Sequence, residues 1–385
     1  MDIIAFLSGL LLGIAAGFLP GIHPNTLASI LSTAPLSDDA RAMLIIGMFP
    51  ANLIASFIPA IFFGIPEAGT FITSLPGQRM TMMGEGITAL KTILVSILFA
   101  TVFAAFLFYP SMLLFPYIYP MIKPFMKYII LALAAVLVLR SKNKLLSVLV
   151  FVCAGILGYF SLNSGVYDPF MPLFSGMFAV GMLLNIKQGS IPEQKKEKPF
   201  KSMLILYVML GVLFGFFADL LPGISSPSQM AVFMSFAVPM NSLAYLSSVS
   251  AISVSESLFS LSTYVSIGKS RIGTTAWLSE FIDIEQNLLL LVALFLFSAA
   301  FSALLLYLIR RKIGMIAAIN SRTIATVLLL YLFVVVALLD GFLGIVIFVV
   351  SSALGWVTMR LGVERTQLMG AVILPTLMLL FRLFP

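Results

Sequence analysis

Two short polar loops hold the residue types best suited to bind a ligand. Each loop follows a Pro-Gly-Ile sequence and is followed by a short segment that contains apolar residues. A helix that begins in such a loop presents free backbone N–H groups and the positive end of its dipole, so the loops predict a site for carboxylates or phosphates. Because serine, threonine and asparagine are also common N-caps, simple capping of a broken helix is the alternative interpretation. The candidate binding residues are Pro20, Gly21, Ile22, His23, Asn25, Thr26, Pro222, Gly223, Ile224, Ser225, Ser226, Ser228 and Gln229.

The two loops belong to an internal repeat. Gly9 and Gly13 precede the first Pro-Gly-Ile sequence, and Gly211 and Gly215 precede the second with the same spacing, 202 positions later. Proline clashes with the preceding helical turn, and glycine tolerates unusual backbone angles, so each copy predicts an interrupted helix. The segment 24–34 would cover only ~16 Å of a ~30 Å membrane core, which predicts a re-entrant hairpin. Because broken backbone at membrane depth must be buried or line a wet cavity, both copies point to a cavity.

Composition identifies the elements that position these loops as membrane helices. The 385 residues are 61% apolar and 10% charged, with a mean hydropathy of +1.13. These values exclude a soluble globule, a disordered chain and a fibrous repeat. The apolar runs do not alternate with polar residues, so helices are expected instead of a barrel. The net charge of +7 comes from basic residues between apolar runs, where they anchor spans on the cytoplasmic side, and does not indicate nucleic-acid binding.

The expected fold is an all-α polytopic membrane protein made of two inverted-topology repeats. A charged linker at 187–201, predicted to be cytoplasmic, separates repeat 1 at 1–186 from repeat 2 at 202–385. Each repeat would hold one re-entrant Pro-Gly hairpin plus about five transmembrane helices, and an odd number inverts the second repeat, as in many secondary transporters. Residues 3–19 form either a hairpin arm or a full span. The predicted crossings are 42–66, 92–118, 124–140, 145–162, 169–186, 243–265, 286–309, 323–339, 341–359 and 366–384.

Four charged residues are candidates for ion coupling or for attracting an anion. Acids inside apolar stretches are expensive and usually functional, which singles out Glu67, Asp219 and Glu256. Of these, Glu67 and Glu256 could relay protons. Similar spacing to a following glycine suggests that Glu67 and Glu256 are equivalent residues of the two repeats. Arg79 would attract an anion, although pairing with lipid headgroups is the more frequent role for such an arginine. His23, the only histidine, could couple proton flow, and sodium is equally compatible with the broken helices.

Enzymatic function is not expected. The chain has no His-Glu-x2-His and no Gly-x-Ser-x-Gly sequence. Asp168 and Asp340 lack the surroundings that an intramembrane aspartyl protease requires. Cys153 is the only cysteine, so no cysteine cluster for a metal is present and no cofactor is expected beyond a transported H⁺ or Na⁺.

The sequences GLLLGIAAGFLPGIHPNTLA at 9–28 and GVLFGFFADLLPGISSPSQMA at 211–231 resemble the TctA family, the large membrane subunit of tripartite tricarboxylate transporters. The stretch 75–90 is also similar to that family. The resemblance implies an inner-membrane permease for carboxylates that is driven by an ion gradient. It also implies a small membrane subunit and an extracytoplasmic solute-binding protein as partners. The short Pro-Gly loop is distantly similar to a polyprenyl-phosphate translocase family, so a lipid-phosphate flippase is the alternative function.

Overall fold

The computed structural model describes residues 2–19, 24–63, 71–184, 192–194, 197–220, 240–270, 272–316 and 321–383. Every regular element within these ranges is helical, which confirms the predicted all-α class. The first half contains α1 Ile3–Gly17, α2 Pro24–Ser32, α3 Asp38–Ala55, α4 Phe57–Phe62, α5 Phe71–Met82, α6 Gly86–Ile122, α7 Met126–Leu139, α8 Lys144–Leu162, α9 Phe170–Phe174 and α10 Gly181–Leu183. The second half contains α11 Leu204–Ala218, α12 Ser242–Ile267, α13 Gly273–Phe281, α14 Leu288–Ile316, α15 Ser321–Arg360 and α16 Gly370–Leu380. A π-helical turn at Ser175–Val180 joins α9 to α10.

Five of the described helical segments are long and apolar enough to cross a membrane. They are Asp38–Phe62, Gly86–Leu139, Lys144–Leu162, Leu288–Met315 and Ala325–Arg360. The predicted crossings 92–118 and 124–140 fall within one segment, which is interrupted only by a 3-10 turn at Lys123–Phe125. Helix α12 occupies the predicted crossing 243–265, but its serines make it too polar to join the five.

Helix α15 is divided at Gly341. This residue has φ 62° and ψ −154°, a backbone conformation that is essentially restricted to glycine. A straight helix of 40 residues would extend about 60 Å, twice the thickness of a membrane core. The interruption therefore separates two segments that are each of crossing length, at the position where the sequence predicted the boundary between 323–339 and 341–359.

The described helices form two compact units, and each unit contains helices from both halves of the sequence. The first unit contains α1 to α6 and α11 to α14, and the second contains α7 to α10, α15 and α16. The division of the chain into two sequence repeats on either side of 187–201 stays a prediction. The two packed units do not correspond to these repeats, because each unit contains helices from both halves.

Within the second unit, the two halves exchange equivalent contacts. A Cβ atom added to Gly158 on α8 would overlap the carbonyl oxygen of Ala371 on α16. A Cβ atom added to Gly355 on α15 would overlap the carbonyl oxygen of Met177, in the segment between α9 and α10. The same exchange brings Phe151 against Gly370 and Phe348 against Gly176. Each half thus contributes the same two surfaces to these contacts. A two-fold relationship between the two halves produces this pattern.

The described part of the linker packs against the first unit. The Glu197 carboxylate accepts hydrogen bonds from Arg310 Nε at 2.8 Å and Nη2 at 2.7 Å, and Lys91 Nζ lies 3.8 Å from it. The hydrogen bond from Arg310 lowers the pKa of the Glu197 carboxyl below its ordinary value. Gln194 Oε1 accepts from the backbone N–H of Gly86 at 2.7 Å and so caps α6. Because Lys91 is near the beginning of α6 and Arg310 near the end of α14, these two helix ends lie on the same side of the first unit.

Candidate functional site

The structure describes the helices that lead into and out of the two Pro-Gly-Ile loops. Asn25, Thr26, Arg79, Asp219 and Glu256 lie within the described residues, and the geometry of the candidate site is built from them and their neighbours. The remaining candidates lie outside the described residues: Pro20, Gly21, Ile22, His23, Glu67, Pro222, Gly223, Ile224, Ser225, Ser226, Ser228 and Gln229.

In the first half, α1 crosses α3 in close contact along its glycines. A Cβ atom added to Gly13 would overlap the Met48 carbonyl oxygen and lie 2.9 Å from the Met48 Cα. Gly9 meets the backbone of Leu44 in the same way. Close approach of two backbones at small residues is typical of helix packing in membranes. The Gly-x3-Gly spacing of this copy is therefore the contact surface between α1 and α3.

In the second half, α11 crosses α12 with the same geometry. A Cβ atom added to Gly211 would lie 2.6 Å from the Ser248 carbonyl oxygen. A Cβ atom at Gly215 would lie 3.0 Å from the Ile252 carbonyl oxygen and would overlap the Ser255 hydroxyl. Both copies of the repeat thus form a helix pair, with the glycine-bearing helix ending just before the Pro-Gly-Ile loop.

The contacts within the two helix pairs show which residues of the two halves are equivalent. Residues of α1 match those of α11 at an offset of 202, and partners on α3 match those on α12 at an offset of 204. The N-caps obey the same register, since Ser37 caps α3 and Asn241 caps α12. Glu256 is therefore equivalent to Asn52, and the suggested equivalence of Glu256 with Glu67 is wrong.

The helices that flank the loops are short. Helix α1 has 15 residues and covers roughly 23 Å, less than a ~30 Å membrane core. Helix α2 has nine residues, begins at Pro24 and covers roughly 14 Å. Proline suits the first position of a helix because its missing N–H would have no partner there. The short length of α1 favours the hairpin arm over a full span, and the hairpin turn itself lies outside the described residues.

Asn25 and Thr26 occupy the first turn of α2, where they lie beside another helix. Thr26 is 3% exposed, and Asn25 is half-buried. The Asn25 side chain lies so close to Gly273, the first residue of α13, that a Cβ atom added there would overlap Asn25 Oδ1 and lie 2.9 Å from Nδ2. No local sequence pattern reveals this contact, because residues 25 and 273 lie far apart in different halves. Gly273 is therefore a functional candidate that positions Asn25.

Asp219 and Glu256 are both fully buried in the first unit, with 0% of either residue exposed. Asp219 follows the last residue of α11, and Glu256 lies in the middle of α12. The two carboxyl groups interact electrostatically. Within the described part of the chain, neither carboxyl oxygen of Glu256 has a hydrogen-bond partner. A buried carboxyl group without a hydrogen-bond partner is strongly unfavourable in its charged form, so Glu256 stays a candidate for a functional role.

The serines around Glu256 are satisfied by their own helix. The hydroxyls of Ser253, Ser255 and Ser257 donate to carbonyl oxygens one turn earlier, at 2.7 to 2.9 Å. Back-bonding of this type lets a serine-rich helix lie inside a helical bundle without leaving hydroxyl donors unpaired. Helix α12 lies inside the bundle, since seven of its serines are buried: Ser247, Ser248, Ser250, Ser253, Ser255, Ser260 and Ser262.

Unlike this buried pair, Arg79 is exposed, and it lies in the last turn of α5. An exposed guanidinium at a helix end is suited either to attract an anion from solution or to pair with a lipid headgroup. Both interpretations of Arg79 stay open as predictions.

The described helices include segments of membrane-crossing length and two glycine-packed pairs that precede the Pro-Gly-Ile sequences. These features define the class of protein, a polytopic membrane protein built on an internal sequence repeat. The sequence model of the tripartite tricarboxylate transporter TctA family matches residues 3–370. The chain belongs to the TctA family, a family of transport proteins and not of enzymes, which confirms the resemblance seen in the two motifs. An uncharacterized protein of Methanocaldococcus jannaschii is 24% identical over 99% of this chain and 100% of its own length. No solved structure matches.

Proposed function

We propose that this protein is an ion-coupled permease that moves small organic anions, carboxylates in particular, by alternating access around its two interrupted helices. The observation that carries the proposal is the duplicated helix pair, α1 with α3 and α11 with α12, each packed through glycines and each leading to a Pro-Gly-Ile loop. Paired discontinuous helices from two repeats are the usual frame of a substrate site in secondary transporters.

The loops after the breaks would bind the substrate. Helix α2 begins at Pro24, so the backbone N–H groups of its first turn lie next to the side chains of Asn25 and Thr26. A helix N-terminus of this kind favours a carboxylate or phosphate through its free N–H groups and its dipole. The hydroxyl and amide groups at 225–229 would supply the equivalent donors in the second half. Arg79 would raise the local concentration of anions at the surface.

Inverted topology of the two repeats is part of the proposal. Helices α6 and α14 each follow the helix pair of their own half, and Glu197 contacts Lys91 at the beginning of α6 and Arg310 at the end of α14. Equivalent helices that present opposite ends to one side of the protein support inversion. The reciprocal contacts of the second unit support a two-fold relationship independently.

The membrane orientation and the partners follow from charge and family. Basic residues gather where the linker meets the first unit, so this side and the linker at 187–201 would face the cytoplasm. The membrane would be the inner, cytoplasmic membrane. The name of the family implies a tripartite system, so a small membrane subunit and an extracytoplasmic solute-binding protein are the proposed partners.

Uptake into proteoliposomes tests this function. The purified chain is reconstituted alone, and labelled citrate, a labelled dicarboxylate and a labelled polyprenyl phosphate are offered under imposed proton or sodium gradients. We expect gradient-dependent uptake of a carboxylate. Asn25→Ala should weaken its apparent affinity, whereas Gln286→Ala, which changes an exposed amide, should leave it unchanged.

Two results would contradict the proposal. Movement of polyprenyl phosphate without carboxylate uptake would identify a lipid-phosphate translocase. Absence of carboxylate uptake under every gradient, including after addition of the two proposed partner proteins, would remove the transport proposal altogether.

A further inference from the structure

We propose that Glu197 of the linker is a positioning residue of the transport cycle: it holds the beginning of α6 and the end of α14 together and so favours one of the two conformations of alternating access. We call Glu197, together with Arg310 and Lys91, the linker clasp. This inference rests on the proposed transport function and gives the linker a role in it. Opening of the clasp would separate the two helix ends on the proposed cytoplasmic side.

The clasp is a charged contact that is largely shielded from water. The Glu197 carboxylate accepts two hydrogen bonds from the Arg310 guanidinium, at 2.7 and 2.8 Å, and Lys91 Nζ lies 3.8 Å from it. The side chains of Glu197, Arg310 and Lys91 are 14%, 12% and 14% exposed. The Arg310 guanidinium also lies 4.0 Å from the centre of the Tyr307 ring. A two-pronged contact of this kind is strong and directional, so it fixes the linker to the end of α14 in one geometry.

Other contacts fix the linker to α6 alone. The backbone N–H of Lys198 donates to Thr88 Oγ1 at 3.1 Å, and Lys91 Nζ donates to the Lys198 carbonyl oxygen at 3.2 Å. The Lys198 ammonium forms an ion pair with Glu85, in the turn before α6. Each of these contacts stays at the beginning of α6, whereas the Glu197 side chain reaches α14. Glu197 therefore turns an attachment to one helix into a link between two.

Helix α14 also touches α6 directly beside the clasp. A Cβ atom added to Gly314 would lie 2.8 Å from Cδ1 and 2.9 Å from Cγ1 of Ile87. Because Gly314 has no side chain, the Ile87 side chain supplies the apolar surface of this contact, and the clasp supplies the charged part. The accessibility of residue 87 therefore reports whether the two helix ends are together.

The two clasped helices each pack against the glycine-packed pair of the opposite half. Ser111 on α6 donates to the Ser262 hydroxyl on α12 at 2.6 Å. Ser298 on α14 donates to the Gly47 carbonyl oxygen on α3 at 2.7 Å. The clasp thus joins, through α6 and α14, the two helix pairs that lead to the Pro-Gly-Ile loops. A change in the separation of the clasped ends would move one pair relative to the other.

Loss of the Glu197 charge would favour separation of the helix ends. The Arg310 guanidinium would then lack its counter-charge at a position where little water reaches it, and such a charge is strongly unfavourable. Water reaches the guanidinium more easily when α14 and the linker move apart, so the population of the open conformation would rise.

Cysteine labelling of the purified protein tests the clasp without any substrate. Ile87→Cys is combined with Cys153→Ser, which removes the only native cysteine. We expect Glu197→Gln to raise the rate of reaction with a water-soluble maleimide by about fivefold or more, because the helix ends are separated more often. Glu85→Gln is the matched control, because it breaks an ion pair of the same linker that does not involve α14. This control should change the rate by less than about twofold.

Two further variants separate opening of the clasp from loss of the fold. Arg310→Lys keeps the positive charge without the two-pronged geometry, so it should give a labelling rate between those of the wild-type clasp and Glu197→Gln. Ser111→Cys replaces Ile87→Cys as a second reporter, since residue 111 is buried with 0% exposed. It should stay unlabelled in the Glu197→Gln protein. Labelling of residue 111 there would mean that the whole bundle loosens and would overturn the inference.

A disulfide that locks the helix ends together tests the role of the clasp in transport. The added Cβ atom of Gly314 lies 2.9 Å from Ile87 Cγ1, which places the two Cβ atoms within about 4.5 Å of each other, as a disulfide requires. With Ile87→Cys and Gly314→Cys in one chain, oxidation should lower the exchange of labelled for unlabelled carboxylate by about tenfold or more, and reduction should restore it. Oxidation of the protein with Ile87→Cys alone is the control and should have no effect.

The outcomes distinguish this inference from the proposed function. A labelling rate that Glu197→Gln leaves unchanged, or that Glu85→Gln raises equally, overturns the clasp and leaves the permease function intact. Full exchange by the oxidised double-cysteine protein also overturns it. Absence of carboxylate exchange in the wild-type protein refutes the permease function instead.

Discussion

The two glycine crossings make a prediction that compares equivalent positions within one molecule. Gly13→Ala and Gly215→Ala add the same methyl group at matching points of the α1–α3 and α11–α12 pairs. At Gly13 the new Cβ would overlap a backbone carbonyl oxygen and lie 2.9 Å from Met48 Cα, so the helices themselves must separate. At Gly215 the overlap is with the hydroxyl of Ser255, which can rotate, and the nearest backbone atoms lie at 3.0 Å.

The magnitudes follow from which atoms have to move. Overpacking of a tight contact destabilises a protein by about 1–3 kcal/mol, and a clash with backbone belongs at the upper end of that range. We therefore expect Gly13→Ala to lower the free energy of unfolding by about 2–3 kcal/mol and Gly215→Ala by about 1 kcal/mol. Adding Ser255→Ala to Gly215→Ala removes the hydroxyl and should restore part of the loss.

The assay is thermal unfolding of the detergent-purified variants, with size-exclusion chromatography to establish that each remains folded at the starting temperature. Ser253→Ala, which removes a neighbouring buried hydroxyl from the same helix, is the matched control for the rescue. The reasoning is refuted if Gly215→Ala is as destabilising as Gly13→Ala, or if Ser253→Ala rescues Gly215→Ala as well as Ser255→Ala does.

Three further predictions address other parts of the structure. Gly273→Ala should reduce carboxylate affinity as much as Asn25→Ala does. The double variant should be no worse than either single variant, because both changes disturb the same contact. Additive losses of affinity in transport assays would contradict this. The hydrogen bond from Arg310 lowers the pKa of Glu197, so the stabilisation it gives should be complete above the ordinary glutamate pKa of about 4.3 and should disappear as the pH falls further. The Tm values of the wild type and of Glu197→Gln should therefore differ at neutral pH and converge in acid. Gly341→Ala should lower stability by about 1–3 kcal/mol through backbone strain alone, since no described atom beyond the adjoining backbone lies within 4 Å of the added Cβ. An unchanged Tm would show that α15 has a different backbone there.

Much of the fold could be predicted because a lipid environment leaves few choices to the backbone. Every N–H and C=O group in the membrane must find a partner within its own helix, so long apolar runs such as 145–162 and 286–309 could only be helices. The division of α15 at Gly341 was predicted because Asp340 separates the uncharged runs 323–339 and 341–359.

The candidate site was predicted less completely, and particular residues show why. The contact between Asn25 and Gly273 joins residues in different halves, so no local pattern reveals it. The equivalence of Glu256 with Asn52 depends on which residues of α12 and α3 meet the glycines of their partner helices. The linker was expected to be an ordinary charged segment, whereas the side chain of Glu197 is only 14% exposed and binds two helix ends.

The amino-acid sequence by itself determined that this is a multi-pass helical membrane protein of the TctA family with a duplicated Pro-Gly-Ile interruption. These properties depend on composition and on short motifs, and both can be recognised along the chain. The tertiary structure alone decided which helices are partners, such as α8 with α16, and which residues of the two halves are equivalent. A membrane helix is apolar on the faces that contact lipid and on the faces that contact protein, so hydrophobic periodicity does not distinguish them. Only the assembled packing shows where backbones approach at glycines and where two carboxyl groups are buried together.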